Sequence, residues 1–587
     1  MKILHNHLGY ESFGTKRAVI LGKAGDLWQS FRVSDDTTGT PVFAGAPQLA
    51  GPVDHWKDWH FWTVDFDALQ TAGRYSLECT GDKGTLRSAP FAIQAEMLTE
   101  KTASDVLYYF KAQRCSGVLD RADHHLTLDA DTSGRTVDLH GGWYDATGDY
   151  GKHLSHLDFS TYHNPQQIPL VVWSLFKSHA ALQARQNRHY SEILKRLIDE
   201  ALFGADYLKR AQVPDGSFFI TVSAHGEQKR AEDRRVGRVM RGFDPGSMER
   251  ITPTTIDGHY PLKEYQTSYR TGAGVSIAAL ALASMCPVSG DFVNRGYLTA
   301  AEEGFAFLEA HNLEMLNDGK ENIVDDYCAL LAATELYRAT KHDPYKTAAD
   351  KRARSLISRV VEGGPIPHYW RADDGTRPFF HAADGGFPAV SLINYLDIAT
   401  GDMQQTVRDA LKKSLLSELA ITAEVNNPFG YSRQYVQSRT GEKRTTFFYP
   451  HDADTAPWWQ GENARLSSVA TAAYMGSKVF AQDTDFAGRL CAFATNQLNW
   501  ILGLNPFDMC MLHGSGHNNP PYEAYSGSRQ FMNCPGGICN GITSGVEDEH
   551  DIDFHTVETL PSITDNWRWG EQWLPHAAWY LLAVSVA

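Results

Sequence analysis

Near residue 95 the spacing of apolar residues changes from every second position to about every 3.6, which divides the chain into two kinds of structure. Before that point, "KRAVIL", "SFRVSD", "HFWTVDF", "GRYSLEC" and "SAPFAIQ" alternate apolar and polar residues between turns of Gly, Pro and Asp. They predict a small β-sandwich over residues 1–95. After it, helical stripes recur in "IPLVVWSLFKSHAALQA", "GAGVSIAALALASM", "DDYCALLAATELYRAT", "ARLSSVATAAYMGSKVF" and "QWLPHAAWYLLAVSV". Roughly twelve such helices, without a fixed repeat, predict an α/α toroid over residues 96–587 whose long loops gather at one face. The polar segment "SAHGEQKRAEDRRVGRVMRG" reads as a mobile, solvated loop.

Charge narrows the partners. A net charge of -16 leaves no electrostatic grip on nucleic acid or an anionic membrane. The first twenty residues lack the apolar run of a signal peptide, and no segment approaches the length of a membrane span, so a cytoplasmic location is expected. Eight scattered cysteines suit reduced thiols. Cys534 and Cys539, with His513 and His517 upstream, do not have a standard zinc spacing. An aromatic fraction of 11% leans towards surfaces that stack on sugars.

The chemistry concentrates in "GGWYDATGDYGKH", Gly141 to His153. One carboxylate held ionised and aimed at a water can act as a general base, and a second can orient that water. Asp145 and Asp149 stand four residues apart, with Trp143 and Tyr144 as candidates to stack on a flat ligand. The bland alternative is an Asp- and Gly-rich turn, with or without calcium.

The loop resembles the catalytic-base loop of glycoside hydrolase family 9, usually Gly-Gly-Trp-His/Tyr-Asp-Ala-Gly-Asp. "NHLGYE", "VDFDALQTAGRYSLE" and "RSAPFAIQ" resemble the immunoglobulin-like domain that precedes many of its catalytic domains. "YYFKAQRC", "NPQQIPLVVWSLF", "YRTGAGVSIAALALAS" and "NQLNWILGLNPF" resemble its helical domain. The resemblance implies an immunoglobulin-like β-sandwich followed by an (α/α)6 barrel, with Asp149 as general base and Asp145 as its helper. It implies inversion at the anomeric carbon, which needs the acid and base roughly 6.5–9.5 Å apart. It also implies no required cofactor and admits a structural calcium or zinc ion.

The chain departs from the family's pattern in three places. Thr147 adds one residue between the acids, so the loop must bulge. The general acid falls on one of two glutamates: Glu571, which opens the final amphipathic helix among Trp567, Trp569 and Trp573, or Glu558, after "DIDFHTV". Tryptophans around Glu571 would keep it protonated, whereas a helix N-terminus would favour its anion. Third, "HGSGHNNPPYEAYSGSR" lacks the Pro-His-His-Arg segment with which endo-acting members grip a glycan chain.

"FFYPHDADTAPWWQGENARL" offers Asp452, Asp454, Trp458, Trp459, Gln460 and Glu462 to close a pocket around a terminal sugar, or else a helix cap with two core tryptophans. Arg270, beside Tyr269, either binds hydroxyls or pairs with an acid. Asp325 and Asp326 cap a helix or line the barrel mouth. The expectation is an inverting exo-β-glycosidase acting on short β-1,4-linked oligosaccharides, first of all an exo-β-glucosaminidase releasing glucosamine from chitosan oligosaccharides. An unpaired carboxylate near C2 would select the amino sugar. Cleavage of cellobiose or cello-oligosaccharides, endoglucanase action and sugar binding without catalysis are the alternatives.

Overall fold

The computed structural model describes the chain except residues 156–160, 225–229, 240–260, 456–457, 522, 527–528, 557–558 and 560–565. The N-terminal strands are β1 Lys2–Leu4, β2 Gly9–Glu11, β3 Arg17–Gly22, β4 Trp28–Asp35, β5 Pro41–Gly45, β6 Gln48–Gly51, β7 His60–Asp65, β8 Gly73–Gly81, β9 Gly84–Arg87 and β10 Phe91–Gln94. They form two sheets, β1-β3-β7-β6 and β2-β10-β8-β4-β5, with β9 paired to β8.

The alternation in β3 shows why both its faces are apolar. Ala18 and Ile20 point into the sandwich core with Val33, Val64 and Leu77. Val19 and Leu21 point the other way, into the core of the helical domain. At that junction the Phe61 ring lies 5.2 Å from Phe429 and Trp56 lies 6.0 Å from Trp500. The His7 main-chain N–H donates to the Leu502 carbonyl and the Asn6 amide to Asn499, each at 2.9 Å.

The helices are α1 Met97–Gln113, α2 Gly117–Asp123, α3 Ile168–Ala184, α4 Ser191–Ala211, α5 Gly274–Ser284, α6 Asn294–Met315 and α7 Ile323–Thr340. They continue with α8 Asp343–Ile357, α9 Phe387–Leu396, α10 Asp402–Ala423, α11 Asn463–Val479, α12 Thr484–Ile501, α13 Trp567–Gly570 and α14 Leu574–Val586. Six of them form a closed inner ring, α3-α5-α7-α9-α11-α14 and back to α3. Each packs against one outer helix: α4, α6, α8, α10, α12 and α1 in that order. This is the (α/α)6 barrel. Composition sorts the two layers, because "GVSIAALALAS" in α5 is apolar or small on every face, whereas α4 keeps a charged face for solvent. Among the described residues no helix is long and apolar enough to cross a membrane.

The loops between these helices carry a five-stranded sheet built from β11 Leu126–Leu128, β12 Thr136–Val137, β13 Lys152–His153, β14 Thr221–Ala224 and β15 Arg234–Gly237, in the order β12-β11-β15-β14-β13. This corrects the reading of "SAHGEQKRAEDRRVGRVMRG" as a solvated loop over its described part. Arg234 is buried, donating to both carboxylate oxygens of Asp123 at 2.5 and 2.7 Å. Residues 225–229 and 240–242 of that segment lie outside the described residues.

Candidate active site

The base loop runs from β12 to β13, so the small sheet holds both its ends. Between the two acids the chain turns through Gly148, whose φ of 86° favours a residue without a Cβ. Asp149 N–H donates to the Ala146 carbonyl at 3.2 Å, and Gly151 N–H donates to the Asp149 carboxylate at 2.9 Å. Asp145 is buried and Asp149 partly exposed. His153 Nε2 lies 3.9 Å from the Asp145 carboxylate, while its Nδ1 meets the Thr221 hydroxyl at 2.6 Å.

The extra residue anchors the bulge. Thr147 N–H donates to the Gln572 carbonyl at 2.9 Å, and its hydroxyl donates to Gln572 Oε1 at 2.9 Å while accepting from Gln113 Nε2 at 3.3 Å. Leu574 N–H reaches the Asp145 carbonyl at 2.9 Å, and Ala146 pairs with Trp573 as an isolated bridge. The segment carrying Glu571 is therefore laced to the segment carrying both aspartates. Between them, Tyr109 donates to the Gln572 carbonyl at 3.0 Å. Burial above all, with the nearby charges of Cys534, Asp145 and Glu571, pushes its hydroxyl far above the ordinary phenol range.

Glu571 does not open the last helix. It follows α13 in extended backbone, at φ −61° and ψ 130°, three residues before α14, with Trp569 and Trp573 buried on either side. Gly570 ends one short helix and Pro575 starts the next, so the intervening strand-like segment is free to pair with the base loop. Glu558 lies outside the described residues.

Several binding candidates prove to be structural. Trp143 is fully buried, donates to Glu200 at 2.8 Å and packs on Phe110 and Phe203, so it cannot stack on a ligand. Tyr144 is buried against Cys115 and Tyr150, and its hydroxyl accepts a long 3.4 Å bond from Ser116 N–H. Arg270 is buried and bonded to Asn317, Asp318, Asp325 and the Lys320 carbonyl, which makes it a brace between loops. Asp325 completes the capping box of α7 with Asn322, and Asp326 pairs with Arg359 at 2.6 Å. Glu462 is buried and joined to Arg465 at 2.7 Å and Gln434 at 2.9 Å. Asp452 pairs with Arg444 at 2.7 Å and Asp454 with Arg377 at 2.8 Å. The acids of that loop thus already have cationic partners, and the expected unpaired carboxylate is not among them.

Two tryptophans of the same loop divide. Trp459 packs against His451 at 4.0 Å and Trp569 at 5.5 Å, as a core residue would. Trp458 is half-buried and belongs to a column of rings: His381 and His163 at 5.1 Å, His163 and Trp458 at 5.1 Å, Trp458 and Trp567 at 5.9 Å. Trp567 begins α13, four residues before Glu571, so the column ends beside the candidate acid. His381 is neutral, because burial pulls it down to about 3 and its Nδ1 accepts the main-chain N–H groups of Ala383 and Asp384. His163 and His381 escaped the sequence reading, since neither stands in a motif. Nearby, Asp384 is buried and pushed up to about 7 by burial, against hydrogen bonds from Gln166 N–H and Trp579 Nε1 at 2.9 Å each.

Comparison with known proteins follows the same division. The family described as glycosyl hydrolase family 9 matches residues 100–531, and the cellulase N-terminal ig-like domain matches residues 1–84. A xyloglucan-specific endo-beta-1,4-glucanase of Bacteroides ovatus is 22% identical over 599 residues, covering 92% of this chain and 86% of that protein. Endoglucanase A of Fibrobacter succinogenes is 25% identical over 274 residues, 43% of this chain and 57% of the relative. Among solved structures, a metagenome-derived family 9 endoglucanase superposes with a TM-score of 0.64 at 18% identity, covering 100% of this chain and 98% of its own. These relatives are endoglucanases.

Proposed function

That this chain belongs to glycosyl hydrolase family 9, an inverting family, is the premise from which we propose its reaction: hydrolysis of a β-1,4 linkage in short glucan chains. Asp149 takes a proton from water as it attacks the anomeric carbon, Asp145 holds that water, and Glu571 protonates the departing oxygen from the opposite side. The observation that carries this reading is the lacing of residues 145–147 to residues 572–574, which brings the segments of all three carboxylates together. Trp458 and Trp567 are partly exposed, and we take them as the rings that meet a sugar, Trp567 by the face that Arg568 does not cover. Proton transfer in this mechanism uses two carboxylates, Asp149 and Glu571, and needs no cofactor. β-1,4-Glucan is favoured because the relatives are endoglucanases and because the acids at 452–462 are neutralised by arginines.

A second reading is exo-cleavage of glucosamine oligosaccharides. It requires an anionic carboxylate close to C2, where an ammonium would gain a charge-assisted hydrogen bond, and Asp145 fills that role if it stays ionised while Asp149 takes the proton. The missing His-His-Arg segment fits short chains in either reading.

A chromatographic time course on cellobiose, cellotetraose, glucosamine dimer and N-acetylglucosamine dimer, with viscometry of soluble β-glucan, separates these readings. Glucose or short cello-oligosaccharides appearing first supports β-glucanase action. Glucosamine appearing first replaces it with the second reading, and no cleavage of any substrate refutes hydrolysis. Glu571→Gln and Glu558→Gln in parallel identify the acid, because the one that abolishes turnover while sparing binding is the proton donor.

A further inference from the structure

With Glu571 as the proton donor of the reaction described above, we propose that Asn540 and His576 are the positioning residues that aim it. Glu571 stands in the extended break between α13 and α14. Four residues on, Pro575 has no N–H to offer its carbonyl. Asn540 supplies the missing partner, since its main-chain N–H donates to the Glu571 carbonyl at 2.8 Å. Its side chain reaches both ends of the break. Nδ2 donates to the carbonyl of Trp567, the first residue of α13, and Oδ1 accepts from Nε2 of His576, in the first turn of α14, at 2.6 Å. One asparagine therefore holds the chain before, at and after the acid.

The adjoining main chain reinforces this hold. Gly541 N–H donates to the Trp569 carbonyl at 2.8 Å, and Cys539 pairs with Gln572 as an isolated bridge. The acid segment thus lies between the base loop and residues 539–541. Asn540 is itself seated tightly. Its carbonyl accepts from Asn463 N–H, at the start of α11, at 3.2 Å, and a Cβ on Gly461 would come within 2.3 Å of its main chain.

The surroundings assign each side-chain atom its role. His576 is fully buried, and burial pulls it down to about 3, so the ring is neutral. Nε2 carries the proton, because it faces an acceptor; the reversed Asn540 amide would set Oδ1 against the Trp567 carbonyl, acceptor to acceptor. His576 Nδ1 is then a buried acceptor with no protein partner. An apolar side chain would be free of that cost, so packing alone does not call for histidine here, whereas the bond to Asn540 does.

The test compares two leaving groups on one preparation of the full-length protein. A sugar must be protonated as it leaves, whereas 2,4-dinitrophenolate departs without a proton. The ratio of the two rates reads the aim of the acid and is independent of how much protein is folded. The pair is cellotetraose and 2,4-dinitrophenyl β-cellobioside, or glucosamine dimer and 2,4-dinitrophenyl β-glucosaminide if the second reading holds. Glu571→Gln sets the scale, with a loss of ~100-fold or more on the oligosaccharide and little on the aryl glycoside. Asn540→Ala keeps the main-chain bond and frees both ends of the break, so kcat should fall roughly tenfold on the oligosaccharide and less than about threefold on the aryl glycoside. His576→Leu should behave alike, and His576→Gln, whose amide can still donate to Oδ1, should recover most of the loss. Equal losses on both substrates in Asn540→Ala and His576→Leu would reduce the pair to a structural role and overturn the proposal. Equal losses in Glu571→Gln would instead remove Glu571 as the proton donor, overturning the reading beneath it.

Discussion

Replacing Thr147 by Val tests whether the added residue in the base loop is a working part. Valine keeps the β-branched shape and the main-chain bond from residue 147 to the Gln572 carbonyl, and removes only the hydroxyl. That hydroxyl donates to Gln572 Oε1 and accepts from Gln113 Nε2. Gln572 Oε1 retains the Cys534 N–H at 2.7 Å, so the loss falls mainly on the buried Gln113 amide. One buried donor left without its acceptor costs about 1–2 kcal/mol. The effect on turnover follows from position: misplacing a catalytic group by about 1 Å costs ~100-fold, and with the main-chain tie intact the shift is a fraction of that. The expected result is a roughly tenfold fall in kcat with KM nearly unchanged, together with a lower urea midpoint. Steady-state kinetics on the best substrate and urea unfolding of both proteins decide it. Unchanged kcat in a protein destabilised by the expected amount would refute the argument that this anchor aims the aspartates.

Other outcomes follow from the same structure. Asp149→Asn and Glu571→Gln should each lower kcat/KM by ~100–10,000-fold, and proton NMR of the parent's first product should show the α-anomer released from a β-linkage. Trp143→Phe should lower stability by about 2 kcal/mol through the lost Glu200 bond and lost volume, with KM unchanged; a raised KM would return Trp143 to the binding surface. Trp458→Ala should raise KM several-fold with a smaller change in kcat, read from the same kinetics. Asp384 keeps its proton in the folded chain up to about pH 7 but loses it near 4 when unfolded, so its contribution to stability falls as pH rises from about 4 to 7 and is flat above. Unfolding of Asp384→Asn across that range should show a shallower decline than the parent, and an identical slope would rule Asp384 out as its source.

The parts legible in the sequence were those that periodicity or spacing encodes. The change of period near residue 95 gave the sandwich and the helical domain, and "GGWYDATGDYGKH" located the base loop. Aromatic and charged residues beside the motif misled, because a residue's neighbours in sequence do not fix which way it faces. Trp143 follows two glycines that let the backbone turn its indole into the core, where the Cβ-free Gly204 makes room for the ring. Arg270 is neutralised by loops some fifty residues away, a contact no local pattern announces. Glu462 could have been read correctly, since Arg465 stands one helical turn later. The strand-like break at Glu571 was also signalled, by Pro575 just inside α14.

The closed ring of helices also orders events as the chain is made. Arg185, at the end of α3, donates to the carbonyls of Val584 and Ser585, residues 399 and 400 positions further on. Five staves of the inner ring can assemble hairpin by hairpin from local contacts, but the gap between α11 and α3 closes only when α14 has left the ribosome. The segment that docks on the base loop travels with that last stave. A growing chain is therefore an open trough without its candidate proton donor, and catalytic competence arrives in one late step together with closure.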